Sequence, residues 1–175
     1  NPKQFVDRIN SYGLNKPLGL PIKGEGKPVI PQPGTNRWSG VALPWMAFGY
    51  GLSVTPLQTL TLYNAVANDG VMVKPIFVSE IKEWNKTIKK YNTEVINPKI
   101  CSQETLDKVQ AVLENVVKKG TGSKLYSKDF SMAGKTGTAQ VNYKDKSKLY
   151  YASSFVGYFP ADEPKYSCII VVHKP

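Results

Sequence analysis

The chain is poor in sulfur and imidazole. Cys101 and Cys168 are its only cysteines and His173 is its only histidine, which is too few for a disulfide framework and too few for a zinc site. Neither a metal nor any other cofactor is expected, and the cysteines imply no redox compartment. Cys168 falls in the apolar run from Tyr166 to Val172 and reads as a small buried thiol. No segment is apolar for the length of about 20 residues that a membrane-spanning helix needs. The opening Asn-Pro-Lys-Gln lacks the basic and apolar regions of a signal peptide, and a start without Met suggests a piece of a longer protein. There is also no arginine-rich stripe, ribonucleoprotein-type aromatic signature, internal repeat or low-complexity tract.

Positive charge is in excess. Lys and Arg number 23 against 13 Asp and Glu, a formal net charge of +10, which attracts polyanions such as nucleic acid, anionic lipid or acidic wall polymer. The lysines fall in short local groups, Lys89 with Lys90, Lys118 with Lys119, and Lys144, Lys146 and Lys148. That is the pattern of solvated faces, so nucleic acid is not the expected partner. At 175 residues, 41% of them hydrophobic, the chain has the size of one domain and can bury a useful core.

Residues Pro2 to Asn10 carry Phe5, Val6 and Ile9 at helical spacing and stop before Gly13, which reads as the tail of a short helix. From Asn15 to Pro44 the chain is dense in proline and glycine and reads as an irregular excursion. A loop so long has a task or a partner surface, or else is a solvated linker between domains. Trp38, Trp45, Met46 and Phe48 follow it closely and favour burial.

Thr55-Pro56 is a helix start, because the hydroxyl caps free N–H groups and a proline at the first position wastes no donor. The helix should run to about Asp69 and stop at Gly70, burying Leu57, Leu60, Tyr63 and Ala67. Val71 to Ile81 has strand composition, and Lys82 to Tyr91 suggests an exposed hairpin around Asn85. A second helix opens at Ser102, with Glu104 in its first turn, and closes on Lys118, Lys119 and Gly120; Leu106, Val109, Leu113 and Val116 form its buried face. After a Gly-Thr-Gly-Ser connection, the runs Ser131 to Val141, Tyr151 to Phe159 and Tyr166 to His173 predict an antiparallel meander.

The chemistry concentrates in Ala133-Gly134-Lys135-Thr136-Gly137-Thr138-Ala139-Gln140. On a strand Lys135 and Gly137 face one way and Thr136 and Thr138 the other. Glycine removes bulk and lets a substrate backbone approach the strand edge, so this run is a candidate binding edge. Lys-Thr-Gly is one of three motifs of penicillin-binding proteins and class A β-lactamases, beside Ser-x-x-Lys and Ser-Asp-Asn.

The longer run Phe48-Gly49-Tyr50-Gly51-Leu52-Ser53-Val54-Thr55-Pro56-Leu57-Gln58, with Tyr12-Gly13-Leu14, Asn68-Asp69-Gly70 and Ser154-Phe155-Val156-Gly157-Tyr158-Phe159-Pro160, resembles the class B penicillin-binding proteins, most closely the septal, cell-division type. The resemblance covers almost the whole chain. It implies an α+β fold, with the antiparallel sheet and packed helices of the penicillin-binding and serine β-lactamase-like transpeptidases. The chain would be the C-terminal part of one such domain, the nucleophile-bearing part upstream and the terminal helix lying outside it.

The implied activity is serine-type D,D-transpeptidation of peptidoglycan. The implied partners are the D-Ala-D-Ala end of a stem peptide, β-lactam antibiotics and, through the parent protein, other cell-division proteins, at the periplasmic or extracytoplasmic face of the inner membrane. By the family's pattern Lys135 and Thr138 are the catalytic residues, and Thr136, Gly137 and Thr138 bind substrate. The hydroxyls of Thr136 and Thr138 would hold the terminal carboxylate, the Thr138 N–H would form half of the oxyanion hole, and Lys135 would place charge beside the nucleophile.

Ser79-Glu80-Ile81-Lys82 is the chain's literal Ser-x-x-Lys, but it falls in a strand-like run, where serine and lysine cannot share a helical face. No Ser-x-Asn is present. His173 reads as a strand-end residue. The isolated chain is therefore expected to be inactive. A β-lactamase or β-lactam sensor, and a non-enzymatic basic module binding wall polymer or nucleic acid, are the alternatives.

Overall fold

The computed structural model describes residues 1–142 and 147–175. Of the clustered lysines, Lys144 and Lys146 lie outside the described residues. Asn1 accepts from the N–H groups of Lys3 and Gln4 and starts helix α1, Pro2–Ser11, as the spacing predicts. The excursion that follows is irregular until a short helix, α2, at Ala42–Ala47. It is not a solvated linker. Val29 and Ser53 exchange backbone hydrogen bonds at 2.8 Å in both directions, and the Glu25 carboxylate accepts the N–H groups of Leu18 and Leu20.

Helix α3, Pro56–Ala67, begins with a full capping box between Thr55 and Gln58, which satisfies two otherwise orphaned donors. Its buried face differs from the expected stripe of Leu57, Leu60, Tyr63 and Ala67. Gln58, Thr61, Ala65 and Val66 are the buried residues. The polar pair tolerates burial because both side chains are satisfied: the Gln58 amide donates to Lys16 O at 2.8 Å and the Thr61 hydroxyl to Leu57 O at 2.8 Å. Hydropathy alone could not reveal partners 42 residues away.

The strand expected over Val71 to Ile81 is shorter. Strand β1 covers Met72–Val73; the Lys74 N–H still donates to Glu94 O at 2.9 Å, and Pro75, which has no N–H to donate, comes next. The hairpin is as expected, β2 at Glu80–Glu83 and β3 at Lys86–Lys90, turning through Trp84 and Asn85 at positive φ. Strand β4, Val95–Asn97, pairs with β1. Ser79 precedes β2, and Lys82 within it is paired to Glu80 at 2.7 Å, so the literal Ser-x-x-Lys has no helical geometry.

Helix α4, Gln103–Lys118, is capped by Ser102, with Glu104 in its first turn and Lys118 in its last. Leu106, Leu113 and Val117 are buried; Val117 takes the place expected of Val116 because it stands one turn beyond Leu113.

The meander forms as predicted. Strands β5 (Ala133–Val141), β6 (Tyr150–Phe159) and β7 (Tyr166–His173) make an antiparallel sheet in that order. Helix α4 packs on β5, and α3 on β6 and β7. Between them sit Ala65, Val66, Met72, Ile100, Leu106, Leu113, Ala133 and Tyr158. Cys168, on β7, is half-exposed rather than buried, since this outer strand has few neighbours to cover it. Of the large apolar side chains that follow the excursion Met46 is buried, while Phe48 remains exposed.

Candidate active site

Strand β5 has one neighbour, β6, with Lys135 opposite Val156, Thr136 opposite Phe155, Gly137 opposite Ser154 and Thr138 opposite Ser153. Among the described residues no strand pairs with its other edge. Three contacts fix which peptide groups face that edge. The Gln140 N–H donates to Tyr50 Oη at 2.8 Å, away from β6. Thr136 O accepts from Lys135 Nζ at 2.8 Å, whereas Gly137 O faces the Ser154 hydroxyl of β6 at 3.5 Å. In an antiparallel strand consecutive residues alternate between facing the ladder and facing away. Thr136, Thr138 and Gln140 therefore present N–H and C=O outward, and Gly137 faces inward.

Lys135, Gly137 and Thr138 are exposed and Thr136 is half-buried. Between Lys135 and Thr138 no described side chain covers this edge, so its main-chain groups and two hydroxyls are open to a ligand there. All the expected site residues thus lie on one strand within four consecutive positions. Gly137 has a local reason to be glycine: a Cβ there would sit 2.7 Å from Ser154 Oγ.

The Gly-Thr-Gly-Ser segment, a connection by its sequence, contributes to the site. Thr121 Oγ1 lies 2.7 Å from Thr136 Oγ1. Gly120 and Gly122 both donate their N–H groups to Val116 O, at 3.1 and 3.0 Å, folding the chain tightly against the end of α4. A Cβ on Gly120 would approach the Val116 backbone to 2.9 Å, and one on Gly122 would approach Val116 O to 3.2 Å. A hydroxyl residue between two glycines at a helix end was the available signal. Tyr50 belongs to the Phe48-to-Gln58 run, and nothing local announces its contact with Gln140, 90 residues away.

The start of β5 is pinned separately. The Ser131 hydroxyl accepts the Ala161 N–H at 2.8 Å and donates to the Asp162 carboxylate. That bond holds the Asp162 carboxyl below its usual range, because it favours the charged form.

Residues 1–175 match the penicillin binding protein transpeptidase domain. The chain belongs to that family. It is similar to stage V sporulation protein D of Bacillus subtilis, 33% identical over 174 residues, covering 95% of the chain and 26% of that relative. It is likewise similar to the peptidoglycan D,D-transpeptidase FtsI of Escherichia coli, 29% identical over 173 residues, covering 98% of the chain and 27% of the relative. Among solved structures, penicillin-binding protein 3 of Mycobacterium tuberculosis, complexed with aztreonam, superposes with a TM-score of 0.86 at 30% identity, covering 100% of this chain and 41% of that one. The α+β transpeptidase fold is thereby shown, and the chain spans close to a quarter of the length of the two sequence relatives.

Proposed function

We propose that the protein containing this transpeptidase-family chain is a peptidoglycan D,D-transpeptidase, and that residues 135–138 hold the D-Ala-D-Ala end of a stem peptide, or a β-lactam, along the open edge of β5. The observation that carries this is the outward set of groups at Thr136 and Thr138, two hydroxyls and two N–H donors beside Lys135. In the reaction a serine hydroxyl supplied by the upstream part of the protein attacks the carbonyl of the D-Ala-D-Ala bond. Its proton passes to the departing D-alanine amine and an ester to the enzyme forms. The amine of a neighbouring stem peptide then attacks that ester, making the cross-link and returning the serine.

Within this scheme the Thr138 N–H stabilises the oxyanion, the hydroxyls of Thr136 and Thr138 accommodate the substrate carboxylate, and the Lys135 ammonium adds positive charge where negative charge develops. Lys135 is exposed, so its field acts close to the reacting groups and weakens with distance and salt. No cofactor enters the scheme. The protein would work at the extracytoplasmic face of the membrane, alongside other division proteins and without nucleic acid. Among the described residues no helix is long and apolar enough to cross a membrane.

The test is covalent labelling of the intact protein by a fluorescent penicillin. Lys135→Ala should depress acylation strongly while the folded state persists, and Thr138→Ala should do less, because the backbone donor survives. The chain by itself should not be labelled. Acylation of the intact protein that is indifferent to Lys135→Ala refutes the assignment, and labelling of the isolated chain refutes an upstream nucleophile.

A further inference from the structure

From the contact between Tyr50 and the edge of β5, we propose that Tyr50 is a specificity-determining residue that ends the peptide-binding edge at Thr138. This rests on the transpeptidase reading above and deepens it. If the carboxylate of the bound peptide lies at the Thr136 and Thr138 hydroxyls, and its scissile carbonyl at the Thr138 N–H, the residues upstream of the scissile bond run antiparallel along β5 toward Gln140. The Gln140 N–H is the next outward donor on that edge, and the Tyr50 hydroxyl accepts it at 2.8 Å. An upstream residue finds this main-chain donor occupied.

Tyr50 is held there from several directions. It follows α2, its N–H donates to Trp45 O at 2.9 Å, and Gly49 and Gly51 on either side adopt positive φ of 94° and 75°, conformations that cost other residues strain. Its ring stands edge-on to Trp45, centroids 5.7 Å apart, and 5.6 Å from the ring of Phe48. The Tyr50 ring, with Trp45 and Phe48 packed against it, therefore borders the track of the upstream residues. With the hydroxyl spent on Gln140, the site offers those residues ring surface in place of a further strand-type hydrogen bond, and the bound peptide leaves the sheet edge after the residue opposite Thr138. The ligand class this favours is one whose upstream portion is not an ordinary extended peptide backbone.

The experiment measures second-order acylation rate constants of the intact enzyme with two thioesters, an N-acetylated D-alanyl thioester and the same compound extended upstream by two L-residues. The quantity read is the extended-to-short ratio. In the wild type it should lie near one. In Tyr50→Phe, which keeps the ring and frees the Gln140 donor, the ratio should rise about fivefold, the worth of one neutral hydrogen bond. In a Gln140→Pro background, which has no N–H to offer and places proline where an edge strand tolerates it, the same Tyr50→Phe change should leave the ratio unmoved. A ratio indifferent to Tyr50→Phe overturns the proposal, as does a rise that persists with Gln140→Pro. Failure of the wild type to react with either thioester overturns the transpeptidase reading itself.

Discussion

Replacing Thr121 with Val should slow acylation about fivefold without touching any residue of the Lys135–Thr138 run. The two hydroxyls of Thr121 and Thr136 are 2.7 Å apart, a normal O–H···O distance, and only one of them can donate to the other. If Thr136 gives its single proton to a substrate carboxylate, the proton between the threonines must come from Thr121. Thr121 then points the Thr136 lone pair inward and its O–H outward. Both hydroxyls are neutral, Thr121 is exposed and Thr136 half-buried, so the bond is worth about 1 kcal/mol, near the centre of the net range for neutral hydrogen bonds. That corresponds to about fivefold in the second-order rate constant.

Thr136→Val removes the bond to the charged ligand itself, a loss of about 1.5–3 kcal/mol, or roughly tenfold to 150-fold. Stopped-flow acylation of the intact enzyme by a chromogenic cephalosporin separates these cases, and Thr121→Ser should recover most of the rate. In the double variant the Thr121→Val effect should disappear, since its effect passes through Thr136. Strictly additive losses, or a Thr121→Val defect as large as that of Thr136→Val, refute the assigned direction of the bond.

Gly137→Ala should destabilise the domain by about 1 kcal/mol in denaturant melts. Crowding against Ser154 Oγ at 2.7 Å costs about 1–3 kcal/mol, and the loss of unfolded-state freedom returns about 0.4–1 kcal/mol; in a Ser154→Ala background the crowding is gone and the same change should stabilise. Tyr158 is 1% exposed and its hydroxyl has no hydrogen-bond partner among the described residues, so Tyr158→Phe should be neutral or stabilising by about 1 kcal/mol. Burial, then the nearby Glu114 charge, pushes the Tyr158 phenol up to about 12, while in the unfolded chain it titrates near the ordinary phenol value of about 10. Between those values the unfolded state gives up the proton first, so wild-type stability should fall as pH rises from 10 toward 12, and Tyr158→Phe should lack that part of the fall.

What could be read in the sequence was local chemistry. The ends of α3 and α4 follow from Thr55-Pro56 and from Ser102 with Lys118-Lys119-Gly120, because caps are satisfied within one turn of where they are written. The three strands of the meander follow from β-branched runs separated by polar links. The buried face of α3 was misjudged because Gln58 is recruited inward by Lys16 O across a loop, an attraction that no periodicity encodes. Val71 to Ile81 reads as one strand because its composition is uniform, yet Met72 and Val73 pair with Val95–Asn97 while Glu80 and Ile81 pair with Lys90 and Lys89 in the hairpin. The motif strand was legible as a strand edge; which of its donors remain open was not.

That last question is decided by segments remote in sequence, which is why the excursion from Asn15 to Pro44 belongs to the functional description. Its bridge from Val29 to Ser53 and the Gln58 bonds to Leu14 O and Lys16 O anchor the chain on either side of α2, and this anchoring sets where Tyr50 stands. From the other side, the turn after α4 delivers Thr121. The strand itself supplies alternating donors along its free edge, and the two remote segments act on that row at opposite ends, one orienting the hydroxyl of Thr136 and one occupying the N–H of Gln140. A change at Gly51 should therefore be felt at the edge without contacting it. A Cβ there would lie 3.8 Å from Trp45 Cβ, ordinary contact, so crowding is not the cost; the cost is the positive φ of 75°, about 1 kcal/mol or more for a residue with a side chain. Relaxing that strain would shift Tyr50 away from Gln140.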